Sequence, residues 1–212
     1  MNTMLMLVRL SLQSLWSRRG TAILIVLALA MGVALLLGVE KLRQGARNGF
    51  ANTISGTDLV VGARSGSLNL LLYAVFRVGN ATSNASWSAY RRIAEHPDVA
   101  WTIPLSLGDN HRGYPVVGTS EDYFSHLRYG RGRQLEFATG KAFSDVFDVV
   151  LGAEVAAALA YRVGDEIVVS HGLGEIDTNA HDDRPFRVSG ILARTGTPVD
   201  RSLHVSLAGI EA

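Results

Sequence analysis

The 212-residue chain has no cysteine, only five prolines and no excess of charge, with 20 Lys and Arg against 19 Asp and Glu. Without cysteine there can be no disulfide, no thiol nucleophile and no thiolate metal site. The same absence does not fix a compartment, because oxidising compartments permit disulfides without requiring them. A net charge of +1 argues against a nucleic-acid partner, which usually meets a strongly basic patch. Catalytic signatures are missing too. "GRGRQLEFATGKA" has the wrong glycine spacing for a phosphate-binding loop and no Ser or Thr after Lys141. There is no HExxH, and "GARSGS" lacks the glycine two places before the serine of a nucleophile elbow. The chain therefore reads as no enzyme, with no cofactor of its own.

What the chain does have is one long hydrophobic run, "TAILIVLALAMGVALLLGVEK". Residues 21–39 carry no charge and would form about 28 Å of helix, close to the roughly 30 Å of a bilayer core. A cleaved signal peptide has a shorter apolar region and a small-residue cleavage site. This run instead passes into the polar "EKLRQGARNGF", so it reads as a retained membrane helix. Gly32, Ala34 and Gly38 would let a neighbouring helix approach closely. Arg9, Arg18 and Arg19 precede it and Lys41, Arg43 and Arg47 follow, so charge barely sets orientation. The short N-terminal side is the more natural cytoplasmic side, since long domains translocate largely regardless of charge. Upstream, Leu5, Val8, Leu12, Leu15 and Trp16 recur at helical spacing. Residues 1–20 thus read either as an amphipathic elbow helix or as a leader that extends the membrane helix. The layout expected is elbow 1–20, membrane helix 21–39, stalk helix and turn 40–56, and an extracytoplasmic domain 57–212.

In that domain, 59–61 ("LVV") reads as a strand after the turn at Ser55 and Gly56. "LNLLLYAVFRVGN" is too short for a second span and reads as a buried or surface-lying helix, or as one resting on the outer leaflet. A helix is expected around 87–95, then two strands about the turn "GDNHRG", a helical turn in "SEDYFSHL" and a loop in "YGRGRQLEF" with Arg128, Arg131 and Arg133. "VVLGAEVAAALAYRVGDEIVVSHG" gives strand, helix, turn and a strand at 166–170; two strands follow in 185–194 and 202–212. Strands outnumber helices and look mostly hairpin-connected. The fold class expected is α+β with a mixed or antiparallel sheet. The final "LHVSLAGIEA" hands a strand to a helix without a stop signal, so the chain reads as interrupted at Ala212.

One stretch, "SHGLGEIDTNAHDDRPF", gathers metal-ligand types: His171, His181 and Asp182 are the candidates, with Glu175, Asp177 and Asp183 nearby. Imidazole with carboxylate suits zinc or manganese. The spacing of the two histidines matches no compact motif, and a Gly-, Asp- and Asn-rich stretch is ordinarily a solvated loop.

The two ends carry a family likeness. The arginine-ended N-terminal segment, the single helix and "GVEKLRQGARNGFANTISGTDLVVGARSGSLNLLLYAVFRVGN" resemble the start of an ABC transporter permease of the FtsX-like, MacB-like class. "PFRVSGILARTGTPVDRSLHVSLAGIEA" is similar to the end of that class's periplasmic domain. The resemblance implies a bacterial inner-membrane subunit with its N-terminus in the cytoplasm and its main domain in the periplasm. It also implies a permease homodimer and a separate ABC ATPase that binds ATP and magnesium. Work would pass by mechanotransmission, nucleotide-driven closure being relayed to the periplasmic domain. Substrates of the class include lipoproteins, peptides and drugs. On that reading Lys41, Arg43 and Arg47 lie on the coupling stalk, and three further membrane helices expected of the class are missing from this sequence, which then reads as a truncated product or a fragment. Two other readings stay open. One is a membrane-anchored extracytoplasmic binding module for a metal through His171 and His181. The other is a regulator of a periplasmic protein that moves no solute.

Overall fold

The computed structural model describes residues 6, 16, 18–64, 66–79, 83–171 and 185–211, with backbone alone at 46–52 and 170–171. The expected elbow at 1–20 thus falls, but for isolated positions, outside the described residues. Two compact units divide between Asn48 and Gly49. In the first, the helix α1, Arg19–Thr53, begins; none of its side chains at 19–45 is buried. The segment Arg19–Gly45 is the one helix among the described residues long and apolar enough to cross a membrane. Its Leu, Ala, Ile and Val satisfy every backbone group within the segment, the condition a bilayer imposes.

The second unit opens with two short helices. α2, Ser67–Phe76, buries only Val75, and α3, Trp87–Ala94, is capped by Ser86, whose hydroxyl accepts from the Ala89 amide at 3.3 Å. The strands follow: β1 Ser106–His111, β2 Tyr114–Thr119, β3 Arg128–Tyr129, β4 Arg133–Gln134, β5 Phe137–Gly140, β6 Asp148–Leu151, β7 Glu166–Ile167, β8 Ser170–His171, β9 Phe186–Leu192 and β10 Leu203–Ser206. Helices α4, Asp122–His126, α5, Ala153–Leu159, and α6, Leu207–Glu211, are interspersed, and a 3-10 turn spans Pro198–Arg201.

The main sheet runs β5-β9-β6-β10-β2-β1-β8, with β7 also on β9. It is mixed: β6 with β9 and β10 with β2 are parallel, the other pairs antiparallel. β7 and β8 are only two residues apart, yet β7 bonds to β9 and β8 to β1. One short segment thereby bonds to strands at or next to opposite ends of the strand order. Both faces are covered, which is why β6 reads as the continuous run "DVVL". Val149 and Leu151 enter one core with Val116, Val155, Val188, Leu203 and Val205. Val150, half a pleat away, enters another with Tyr123, Phe124, Phe143 and Leu192.

Several expectations are corrected. Residues 59–61 form no strand; their backbone is irregular, with Leu59 79% and Val61 61% exposed. "YGRGRQLEF" is not a plain loop but the β3–β4 hairpin, turned by positive φ at Gly130, Arg131 and Gly132. β1 runs on through "GDNH", and the turn shrinks to Arg112 and Gly113, at φ 50° and 83°, as a two-residue type I′ hairpin requires. The strand expected at 166–170 divides into β7 and β8. Hairpins are also the minority: among the described residues only β1–β2 and β3–β4 join strands adjacent in sequence through such turns.

Candidate functional site

Among the described residues, the small residues singled out on α1 have open space around them. A Cβ added at Gly32 or Gly38 would meet nothing within 4 Å. Arg43 is held by its own helix: Nε and Nη2 donate to the two carboxylate oxygens of Glu40 at 3.0 and 3.1 Å, and Gln44 donates to the same carboxylate at 3.0 Å. Lys41 is exposed, and Arg47 is placed by backbone alone. In the metal-ligand stretch, His171 lies in β8, where its backbone pairs with Asp109. His181 and Asp182 lie outside the described residues. Among the described residues no three His, Asp or Glu side chains come close enough to hold a metal ion.

The polar groups the fold does assemble are His204, Tyr123 and Arg77, which spacing in the sequence could not bring together. His204 is wholly buried in β10, on the opposite side of the pleat from Leu203 and Val205. Its Nδ1 faces the Val150 carbonyl at 3.4 Å, and its Nε2 lies 3.2 Å from the Tyr123 hydroxyl. A carbonyl only accepts, so Nδ1 carries the proton and Nε2 accepts from the phenol. Burial, and then the nearby Arg77 cation, push the His204 pKa down to about 3, so the ring is neutral. Burial likewise raises the Tyr123 phenol, while the Arg77 charge, and then a hydrogen bond to it, work against that.

Arg77 reaches Tyr123 from the end of α2. It sits in the left-handed region, φ 59°, as the helix C-cap, where its own amide and that of Val78 both turn back to Leu72. Its guanidinium also donates to the Ala74 carbonyl. Tyr73 donates to the Leu107 carbonyl. These bonds and the buried Val75 hold α2 to the domain while leaving much of its apolar surface exposed. A second histidine repeats the pattern: His111 Nδ1 donates to Val168 at 2.6 Å, and Nε2 accepts from Tyr161 at 2.9 Å. This bond to Val168 crosses from β1 to the segment between β7 and β8. In "LHVSL" a histidine flanked by core residues was the one signal that a buried partner was needed.

Asp200 is another buried polar group. It accepts from the Thr195 amide and hydroxyl at 2.8 Å each and from the Gly196 amide at 2.7 Å, fixing the loop before the 3-10 turn. The β3–β4 hairpin is tied to the start of the domain, since the Ser55 amide donates to the Arg128 carbonyl at 3.0 Å. Arg133 lies over the Tyr129 ring, 4.7 Å from its centroid, and the Arg131 side chain is exposed. Each of these contacts positions backbone. None sets a nucleophile beside an accessible base.

The sequence family described as the MacB-like periplasmic core domain matches residues 22–211. This chain belongs to that family. The match begins within the membrane helix and runs through β10 into α6, so the anchor and the extracytoplasmic domain form one family unit. Domains of this family belong to ABC transporter permeases, which work with ABC ATPases. No curated protein sequence matches the chain significantly.

Proposed function

We propose that this chain supplies the first membrane helix and the periplasmic domain of an ABC permease subunit in the bacterial inner membrane, with its N-terminus in the cytoplasm. The ATPase partner binds ATP and magnesium. Its closure is relayed through a permease dimer and along α1 to move the periplasmic domain, which exports or extracts a lipoprotein, peptide or drug-like substrate. Gly32, Ala34 and Gly38 lie where a neighbouring helix packs, and Lys41, Arg43 and Arg47 lie on the coupling stretch. The observation that carries this reading is the family match that starts inside the membrane helix, on a helix assigned from Arg19 to Thr53. A helix transmits displacement because each residue is bonded to the fourth before it; a flexible insertion breaks that chain.

The test is a Gly/Ser insertion at 41–47 in the complete transporter. ATP hydrolysis should persist while substrate movement is lost. Transport at the unmodified rate would show that α1 is an anchor and not a lever.

A further inference from the structure

The charge balance of the whole chain conceals a strong division. Residues 41–94 contain seven Lys or Arg and one acid, Asp58, whereas residues 95–212 contain ten Lys or Arg against seventeen Asp or Glu. The cation-rich stretch is also where exposed apolar side chains collect. Leu59 is 79% exposed, Val61 61%, Leu68 70% and Val78 59%. Leu68 and Leu72 lie one turn apart on α2, and the stretch that carries Val61 meets the same helix, since a Cβ added at Gly62 would lie 2.4 Å from the Leu70 Cδ1. The stretch before α2 is thereby fixed against the helix, and α2 itself carries no charged residue.

We infer that Leu59, Val61, Leu68 and Leu72 lay the start of the domain on the surface of the bilayer that α1 crosses, with the exposed Lys41 and Arg64 on its anionic headgroups. The inference rests on reading α1 as a membrane helix. The eight residues from Gly45 to Thr53 add about 12 Å of helix, and six more to Leu59 reach up to about 20 Å when extended. The tether therefore holds this surface within reach of the headgroups at high effective concentration, and little further freedom is lost on contact. Apolar side chains among cations are the composition of segments that lie in the interface, and each cation near an anionic leaflet adds to the attraction. The acidic remainder of the domain is repelled by the same surface, which orients it away.

A second copy of the chain fits less well. A two-fold contact sets the same patch against itself, here cations against cations. A contact of this patch with the acidic body of another copy is head-to-tail and does not close into a dimer.

The chain has no cysteine, so a single one reports one position. Full-length L59C, L68C and L72C, with L29C in α1 and V146C and V163C on the acidic body, would carry an environment-sensitive fluorophore. They would be reconstituted in vesicles of phosphatidylcholine and phosphatidylglycerol. Spin-labelled lipid should quench L59C, L68C and L72C as it does L29C, leave V146C and V163C bright, and lose part of its effect on the first three when phosphatidylglycerol is omitted. If L29C is quenched while L59C, L68C and L72C behave as V163C, the surface contact is wrong and the membrane helix stands. If L29C also stays bright, the membrane reading fails with it. Energy transfer between labelled copies without lipid quenching would assign the surface to a second copy and overturn the inference.

Discussion

At the scale of single residues, the fold spends its buried polar groups on fixing segments in place. His204 is the clearest case, because its neutral form is required. Its pKa falls from about 6.5 to about 3 on burial, so the unfolded chain takes up a proton that the folded chain refuses. Above pH 6.5 the two states agree and His204 adds no pH dependence. Between about 6.5 and 3 the unfolded state holds more protons, so stability falls with falling pH, by at most about 1.4 kcal/mol per pH unit from this ring. His111 is lowered by burial too and acts with the same sign. His204→Gln keeps an amide to donate to Val150 and an oxygen to accept from Tyr123, but it does not titrate. Urea melts from pH 7.5 to 4.5 should show the variant less stable at neutral pH and with a flatter acid limb. An acid limb as steep as the parent's would mean that His204 is not buried as a neutral ring.

At the scale of elements, the junction between β6 and α5 is closely packed. A Cβ on Gly152 would lie 2.3 Å from the Val199 carbonyl oxygen and 2.4 Å from that of Asp200. The Gly152 amide also donates to Ser202 at 2.9 Å, so the backbone cannot swing clear without losing that bond. Gly152→Ala should cost about 1–3 kcal/mol or more, as overpacking of a rigid contact does. The check is a urea midpoint shift with an unchanged slope, and an unshifted midpoint would show that the 3-10 turn yields. Which elements could be read in advance follows from the same physics. α2, α3, α5, β6, β9 and β10 carry their own apolar pattern or caps and were legible. Residues 59–61 have strand composition but no sheet edge to pair with, and strand propensity measures fit to a partner surface. "YGRGRQLEF" has turn composition yet pairs, because two glycines and Arg131 supply the left-handed backbone of a tight hairpin. The parallel pairing of β6 with β9 and the split of 166–171 between two edges depend on contacts distant in sequence, and nothing local announces them. The Arg77–Tyr123–His204 cluster was hidden for the same reason, its members lying on α2's end, α4 and β10.

At the scale of the molecule, the two units differ in what stabilises them. No described side chain at 18–45 is buried, whereas both core clusters lie within 116–205. A helix of Leu, Ala, Val and Ile with its described side chains unburied draws its stability from lipid and from internal backbone bonds. The domain draws its stability from two apolar cores on a sheet covered on both faces. The first unit should therefore contribute nothing to the melting of the second, although the family match spans both. Removing residues 1–48 should leave a folded domain whose thermal midpoint equals that of the full chain in detergent micelles. The full chain should retain α1's helical signal after the domain's aromatic signal is lost. A midpoint lower by more than about 5 °C, equivalent to some 1–2 kcal/mol for a chain of this size, would show that the helix helps to hold the domain together. Independent melting is also what a lever requires: a helix that moves a domain as a body must displace it without unfolding it.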